Sequence, residues 1–137
     1  HKDMRKFFTS IIVAISFLLA SVVGSFAASD YVNYTPSVLA KAEQSGKPYL
    51  LDFYAEWCST CRTQDRVLGE LQNEDAKLKA VKIIRVDWDA KASQGLIKTL
   101  GIPRRSTLVM FKGTTELDRL VAQTSKSNIR KLLELGL

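Results

Sequence analysis

The chain predicts an α/β domain built on one central mixed β-sheet flanked by helices. Three observations carry this expectation. Helix-like and strand-like segments alternate in the order α-β-α-β-α-β-β-α. Tyr49 to Ala55 is nearly all apolar, as a central strand buried on both faces must be. Thr107 to Phe111 and Glu116 to Val121 are joined by a short Gly-containing turn, which reads as a hairpin. The alternation implies parallel strand pairs, and the hairpin adds antiparallel pairing.

Each element has a local reason. Ala28 to Tyr34 is a short polar lead. Thr35-Pro36 opens a helix, because Thr caps and Pro is favoured at the first helical position. Val38, Leu39 and Ala42 give that helix one apolar face, Gly46 ends it, and Lys47-Pro48 blocks continuation. After the strand Tyr49 to Ala55, a helix starts at Cys58 or Ser59 and runs to about Lys79, with Val67, Leu68 and Leu71 inward. Val81 to Val86 is rich in β-branched residues and reads as the second strand. Ala92 to Leu100 is a short helix stopped by Gly101. The hairpin follows, and Ser125 caps a last helix from Lys126 to Leu135 with Ile129, Leu132 and Leu133 inward.

Composition bounds the function. A length of 137 residues and 46% hydrophobic content suit one packed domain. The net charge is +6, but the basic residues are spread out and form no block with interleaved aromatics, so nucleic acid is not an expected partner. Lys2, Arg5 and Lys6 precede an apolar core from Ile11 to Val23, and Ser25-Phe26-Ala27 follows it. Residues 1–27 therefore read as a signal peptide cut after Ala27, leaving a domain over 28–137. The alternative is an uncleaved membrane anchor, since Phe7 to Ala28 is long enough to span a bilayer. Ser10, Ser16, Ser21 and Ser25 favour cleavage. His1-Lys2-Asp3 stand ahead of Met4, as either an added remnant or part of a longer upstream sequence would. An exported, periplasmic domain is expected in either case.

The chemistry is concentrated in Trp57-Cys58-Ser59-Thr60-Cys61, placed where the central strand ends and a helix begins. These are the chain's two cysteines. A bridge across so short a loop constrains little chain entropy, so the pair is a poor staple and a good redox couple. Cys58, at the helix start, faces unsatisfied N–H groups and the positive end of the helix dipole, which favour thiolate. It is the expected nucleophile. Cys61, one turn further on, is the expected resolving thiol. Zinc ligation is the competing reading, but zinc wants about four ligands and the only histidine is His1. No metal and no cofactor beyond a redox-active Cys58–Cys61 disulfide are expected. The absence of histidine from the exported part also disfavours copper handling. Asp52 lies within the apolar strand; burial there raises a carboxyl pKa and makes it a candidate proton acceptor for Cys61. A solvated strand-edge Asp is the alternative. Trp57 either bears on substrate or simply packs over the strand end.

Asp52-Phe53-Tyr54-Ala55-Glu56-Trp57-Cys58-x-x-Cys61 resembles the active-site strand and loop of the thioredoxin family. The resemblance covers about Lys47 to Leu135 and implies a thioredoxin-like fold, shortened at the N-terminus and without that family's first strand. Together with the leader, it is similar to extracytoplasmic thioredoxin-like proteins of bacteria. It implies thiol–disulfide oxidoreductase activity on protein disulfides, with electrons from a membrane-linked thiol donor or another redox partner, and a proton-accepting role for Asp52. Ser59 and Thr60 fall on the dipeptide that tunes redox poise in the family. A monomer is expected.

One departure stands out. The family places a cis-proline opposite the cysteines, before a Thr that starts an apolar strand. The matching stretch here is Gly101-Ile102-Pro103-Arg104-Arg105-Ser106-Thr107-Leu108-Val109-Met110-Phe111. An ungapped match puts Ser106 at that position, and a gapped one puts Pro103 there. The ungapped match is favoured. A cis bond before Ser costs about 2.5–4 kcal/mol, so a trans bond is expected. The family's loop presents backbone groups to substrate, which makes Arg105, Ser106 and Thr107 candidate substrate-binding residues together with Trp57. Arg104 and Arg105 read as thiolate stabilisers, as attractors of an acidic partner, or as a solvated basic turn. Reduction of protein disulfides is the favoured activity, ahead of disulfide formation and of a peptide-binding or chaperone-like module that lost turnover.

Overall fold

The computed structural model describes residues 28–137. The expected leader, residues 1–27, lies outside them. Among the described residues, no helix is long and apolar enough to cross a membrane. Five strands form one mixed sheet in the spatial order β1-β3-β2-β4-β5. They are β1 (Val32–Asn33), β2 (Pro48–Tyr54), β3 (Lys82–Asp87), β4 (Thr107–Lys112) and β5 (Thr115–Val121). β2 pairs parallel with β3 and antiparallel with β4, so it is central, as its apolar run requires. β4 and β5 form the expected hairpin, turning at Gly113 with φ 61°. The thioredoxin-like α/β class is thus present.

Among the described residues, five helices flank the sheet: α1 (Pro36–Ser45), α2 (Ser59–Glu74), α3 (Ala76–Lys79), α4 (Gln94–Thr99) and α5 (Lys126–Glu134). Alternation along β2 sorts its side chains between two cores. Leu50 joins Leu68 and Leu71 of α2, Leu108 and Met110 of β4, and Ile129, Leu132 and Leu133 of α5. Tyr49, Leu51 and Phe53 face the other way, against Val38 and Leu39 of α1 and Leu96 and Ile97 of α4. Each fully buried leucine contributes about 2 kcal/mol by leaving water. By the same alternation, Asp52 points to the α2 side of the sheet.

Three expectations needed correction. The polar lead is not structureless, because Val32–Asn33 add a short parallel edge strand to β3. Gln72 anchors this lead by accepting from the Asp30 amide at 2.8 Å and donating to the Asp30 carbonyl at 3.1 Å. The family's first strand is therefore shortened rather than missing. The long second helix breaks at Asp75, whose extended backbone ends α2 while its carboxylate accepts from the Lys77 amide and starts α3. A capping carboxylate there restarts the helix in place of one unbroken run to Lys79. The helix expected from Ala92 opens as a 3-10 turn at Lys91–Ser93 before α4.

Candidate functional site

The turn after β2 aims the two cysteines at the β4 loop. The Cys58 amide donates to the Ala55 carbonyl at 3.0 Å, and Arg62 fixes the same turn by donating to the Glu56 carbonyl at 2.7 Å. Cys58 is the N-cap of α2, and its sulfur accepts from the Cys61 amide at 3.2 Å. A capping position normally held by an oxygen is held here by sulfur, which stabilises negative charge on that atom. The Cys61 thiol donates to the Cys58 sulfur at 2.6 Å. Both thiols are free. Cys61 is fully buried, whereas Cys58 keeps 4% exposure at the protein surface.

Burial pushes the Cys58 thiol up. Hydrogen bonds from the Cys61 thiol, Ser106, the Cys61 amide and Arg105 outweigh it and bring the pKa down to about 7. Cys61 moves the opposite way, because burial and its bond to Cys58 favour the protonated form. The two thiols are thus split into one that ionises easily and one that holds its proton.

Ser106 stands opposite the pair, with its hydroxyl 3.1 Å from each sulfur. No peptide bond among the described residues is cis, so the bond before Ser106 is trans. Its φ is 64°, a left-handed conformation that costs a non-glycine residue about 1 kcal/mol or more. The ungapped match is the one the geometry supports; Pro103 is exposed and not part of this contact. Proline cannot take a φ of 64° and cannot replace the Ser106 amide, which donates to the Phe53 carbonyl at 2.8 Å. Ser106→Pro is therefore expected to destabilise the chain by more than about 1 kcal/mol. A drop in the urea midpoint checks this; an unchanged midpoint would show that the loop accepts proline geometry freely.

The other expected site residues divide. Trp57 is 58% exposed beside Cys58, and its indole donates to Asp89 at 2.6 Å. Arg105 lays its guanidinium 4.4 Å over the Trp57 ring. Arg104 instead donates to the Arg105 carbonyl at 3.0 Å. Thr107 presents no exposed side chain. It is fully buried, and its hydroxyl donates to the Arg104 carbonyl at 2.7 Å, so it shapes the loop from beneath. Ser59 is exposed and Thr60 half-buried in the first turn of α2, and neither side chain bonds to a sulfur. Among the described residues, no group of three or more His, Cys, Asp or Glu could hold a metal.

Asp52 is fully buried, and neither carboxyl oxygen has a hydrogen-bond partner among the described residues. Burial raises its pKa to about 7; Arg85 opposes the rise, while Asp65 and Cys58 add to it. The solvated alternative for Asp52 is thereby discarded. Arg85 is one residue that sequence reasoning missed. It pairs in register with Asp52 on β3, yet its guanidinium donates to Asp65 of α2 at 2.6 Å and lies between the rings of Tyr31 and Tyr54. Ser29 also donates to Asp65. The cation nearest Asp52 is thus committed to a different carboxylate. Asp65→Asn removes one acid and releases Arg85, so the Asp52 midpoint is expected to fall from about 7 towards the ordinary carboxyl range. Carboxyl-carbon NMR titration checks this; an unmoved midpoint would contradict it. Gln64 was missed as well. It is fully buried on α2 and donates to the Ser106 carbonyl at 2.9 Å and the Gln123 carbonyl at 3.0 Å. Its one legible signal was a position one helical turn beyond Cys61.

This arrangement of an N-capping sulfur, a sealed partner thiol and a buried acid suits thiol–disulfide exchange. A family model described as Thioredoxin matches residues 31–135. The chain is 35% identical over 91 residues to Thioredoxin 1 of Nostoc sp., covering 66% of this chain and 80% of that protein. It is 36% identical over 77 residues to thiol:disulfide interchange protein DsbE of Pasteurella multocida, covering 55% of this chain and 40% of that protein. The crystal structure of Trxlp from Edwardsiella tarda superimposes with a TM-score of 0.69 at 26% identity, covering 76% of this chain and 98% of that chain. The chain belongs to the thioredoxin family. Its class is thiol–disulfide oxidoreductase.

Proposed function

We propose that the chain is an exported, periplasmic reductase of protein disulfides. The Cys58 thiolate attacks a substrate disulfide, forms a mixed disulfide and releases the first substrate sulfur. Asp52 then accepts the Cys61 proton, directly or through water. The Cys61 thiolate attacks the Cys58 sulfur, the second substrate sulfur leaves, and a Cys58–Cys61 disulfide remains. A membrane-linked thiol donor restores the dithiol, and no other cofactor is needed. The N-terminal sequence supports the compartment.

The observation that carries the reading is the geometry of the pair: the Cys58 sulfur caps α2, accepting from the Cys61 amide at 3.2 Å and the Cys61 thiol at 2.6 Å, which brings its pKa down to about 7. Thioredoxins hold this thiol near 7, whereas strong oxidants hold it near 3.5 and so stabilise their reduced form. Ser59 and Thr60 tune this poise through the first turn of the helix. The loop opposite Cys58 differs from the family's, because a trans, left-handed Ser106 stands where that loop has a cis-proline. Recognition passes to the side chains of Trp57 and Arg105, a stacked pair beside Cys58 that is exposed at Trp57 and half-buried at Arg105.

Insulin-disulfide reduction driven by dithiothreitol, combined with equilibration against glutathione, tests this reading. Turnover is expected, with a potential nearer to the ~−270 mV of thioredoxin than to the ~−120 mV of a strong oxidant. Absence of turnover with both thiols free, or a potential at the oxidising end, would contradict it.

A further inference from the structure

We propose that the Ser106 hydroxyl is a working member of the redox site: a single donor that serves the Cys58 thiolate before attack and the Cys61 thiolate during resolution. This rests on the reading of Cys58 as nucleophile and Cys61 as resolving thiol. Its own observation is the hydroxyl's equal distance, 3.1 Å, from both sulfurs.

The placement is built, not incidental. Ser106 is fully buried, and its backbone is held on three sides. Its amide donates to Phe53 at 2.8 Å, and its carbonyl accepts from the Ala122 amide and from Gln64, each at 2.9 Å. Ala122 is itself left-handed, with a φ of 56°, so two strained non-glycine residues are bonded to each other at this point. Strain of this kind persists only where surrounding contacts over-determine it. The side chain it delivers is the smallest that carries a hydroxyl.

A serine has one proton to donate, so it serves one sulfur at a time. In the resting dithiol, Cys61 keeps its proton and Cys58 carries the charge, so the hydroxyl donates to Cys58. Attack makes the Cys58 sulfur neutral within the mixed disulfide. When Asp52 takes the Cys61 proton, the charge moves to Cys61. Turning the O–H bond then redirects the donor, with no heavy atom displaced. The Cys61–Cys58 bond forms, the Cys58–substrate bond breaks, and the electron pair leaves on the substrate sulfur. A proline at this place offers no donor at all.

The experiment follows alkylation of Cys58 against pH in the reduced chain, with Ser106→Ala and Ser106→Gly beside it, and equilibration of all three with glutathione. Asp52, Asp65, Cys61, Arg85 and Arg105, the other ionisable groups around the pair, are unchanged in the variants. Losing a hydrogen bond to a charged sulfur is expected to raise the Cys58 midpoint by about one pH unit in both variants. At pH 9, above both midpoints, the thiol–disulfide equilibrium is expected to shift about tenfold towards the disulfide, about 30 mV more reducing. Glycine adopts a φ of 64° without strain, so Ser106→Gly should fold at least as stably and still show the shift. A merely structural serine predicts no shift in the glycine variant, and that result would overturn the assignment. If the unsubstituted chain titrates at the ordinary thiol value of 9.0, the reading of Cys58 as the ionised nucleophile fails first. If it titrates near 7 and both variants match it, the Ser106 assignment alone fails.

Discussion

Cys58→Ser is expected to reduce disulfide reductase activity to the uncatalysed background, while Cys61→Ala stops the cycle halfway. The reason lies in the split between the thiols. Cys58 ionises readily because the α2 amide end, the Cys61 thiol and Ser106 all donate to its sulfur. A serine hydroxyl at the same place ionises far too weakly to attack a disulfide. Cys61 is sealed and holds its proton, so it cannot substitute for the missing nucleophile. With Cys61→Ala, Cys58 still attacks, but the attached substrate loses the neighbouring thiol that would displace it. That neighbour acts at an effective concentration of about 10⁵ M or more, so the mixed disulfide should persist several orders of magnitude longer. Recovery of covalent adducts through Cys58, mapped by mass spectrometry after non-reducing electrophoresis, checks this. Rapid turnover by Cys61→Ala, or the absence of adducts through Cys58, would contradict the assignment.

Asp52→Asn is expected to slow resolution by about 100-fold above pH 7 and, in the same protein, to increase stability there. The two effects share one cause. Asp52 is fully buried and its pKa is raised from 3.8 to about 7. A raised acid binds its proton more tightly folded than unfolded. Its contribution is therefore intact below pH 3.8 and is lost as the pH climbs through 7. The full loss corresponds to about 4 kcal/mol. Asparagine carries no charge at any pH, so this limb of the stability profile should flatten. Urea unfolding at pH 4 and pH 8 measures it. Equal pH dependence in both proteins would show that Asp52 is not the buried acid described here. In the wild type, resolution should rise with pH through about 7 as Asp52 ionises, and that limb should vanish in the variant.

Much of the site could be read from the chain because its chemistry is local. Asp52, Trp57, Cys58 and Cys61 lie within one strand–turn–helix run, so covalent spacing alone puts the sulfurs at a helix start. Ser106 was placed by an ungapped match, and its contact with both sulfurs agrees with that placement. The residues that escaped notice depend on pairings distant along the chain. Arg85 matters because parallel register sets it beside Asp52, and Asp65 matters because it captures Arg85. An arginine inside the run Lys82-Ile83-Ile84-Arg85-Val86 was a visible anomaly. Its partner was not visible without the fold. Gln64 looked like any helical glutamine until the β5 end brought Gln123 within reach. Thr107 is enclosed because β4 is buried on both faces from Thr107 to Phe111, which its place beside the loop did not reveal. The edge strand β1 is two exposed residues long and leaves no periodic pattern to detect.

The most direct test of the central claim is pH-dependent alkylation of the reduced chain, with each modified cysteine identified by peptide mapping. One sulfur, at the amino end of α2, should react first and reach half its maximal rate near pH 7, while its neighbour stays unmodified until the chain unfolds. Equal labelling of both cysteines, or a first midpoint near 9.0, would contradict the account.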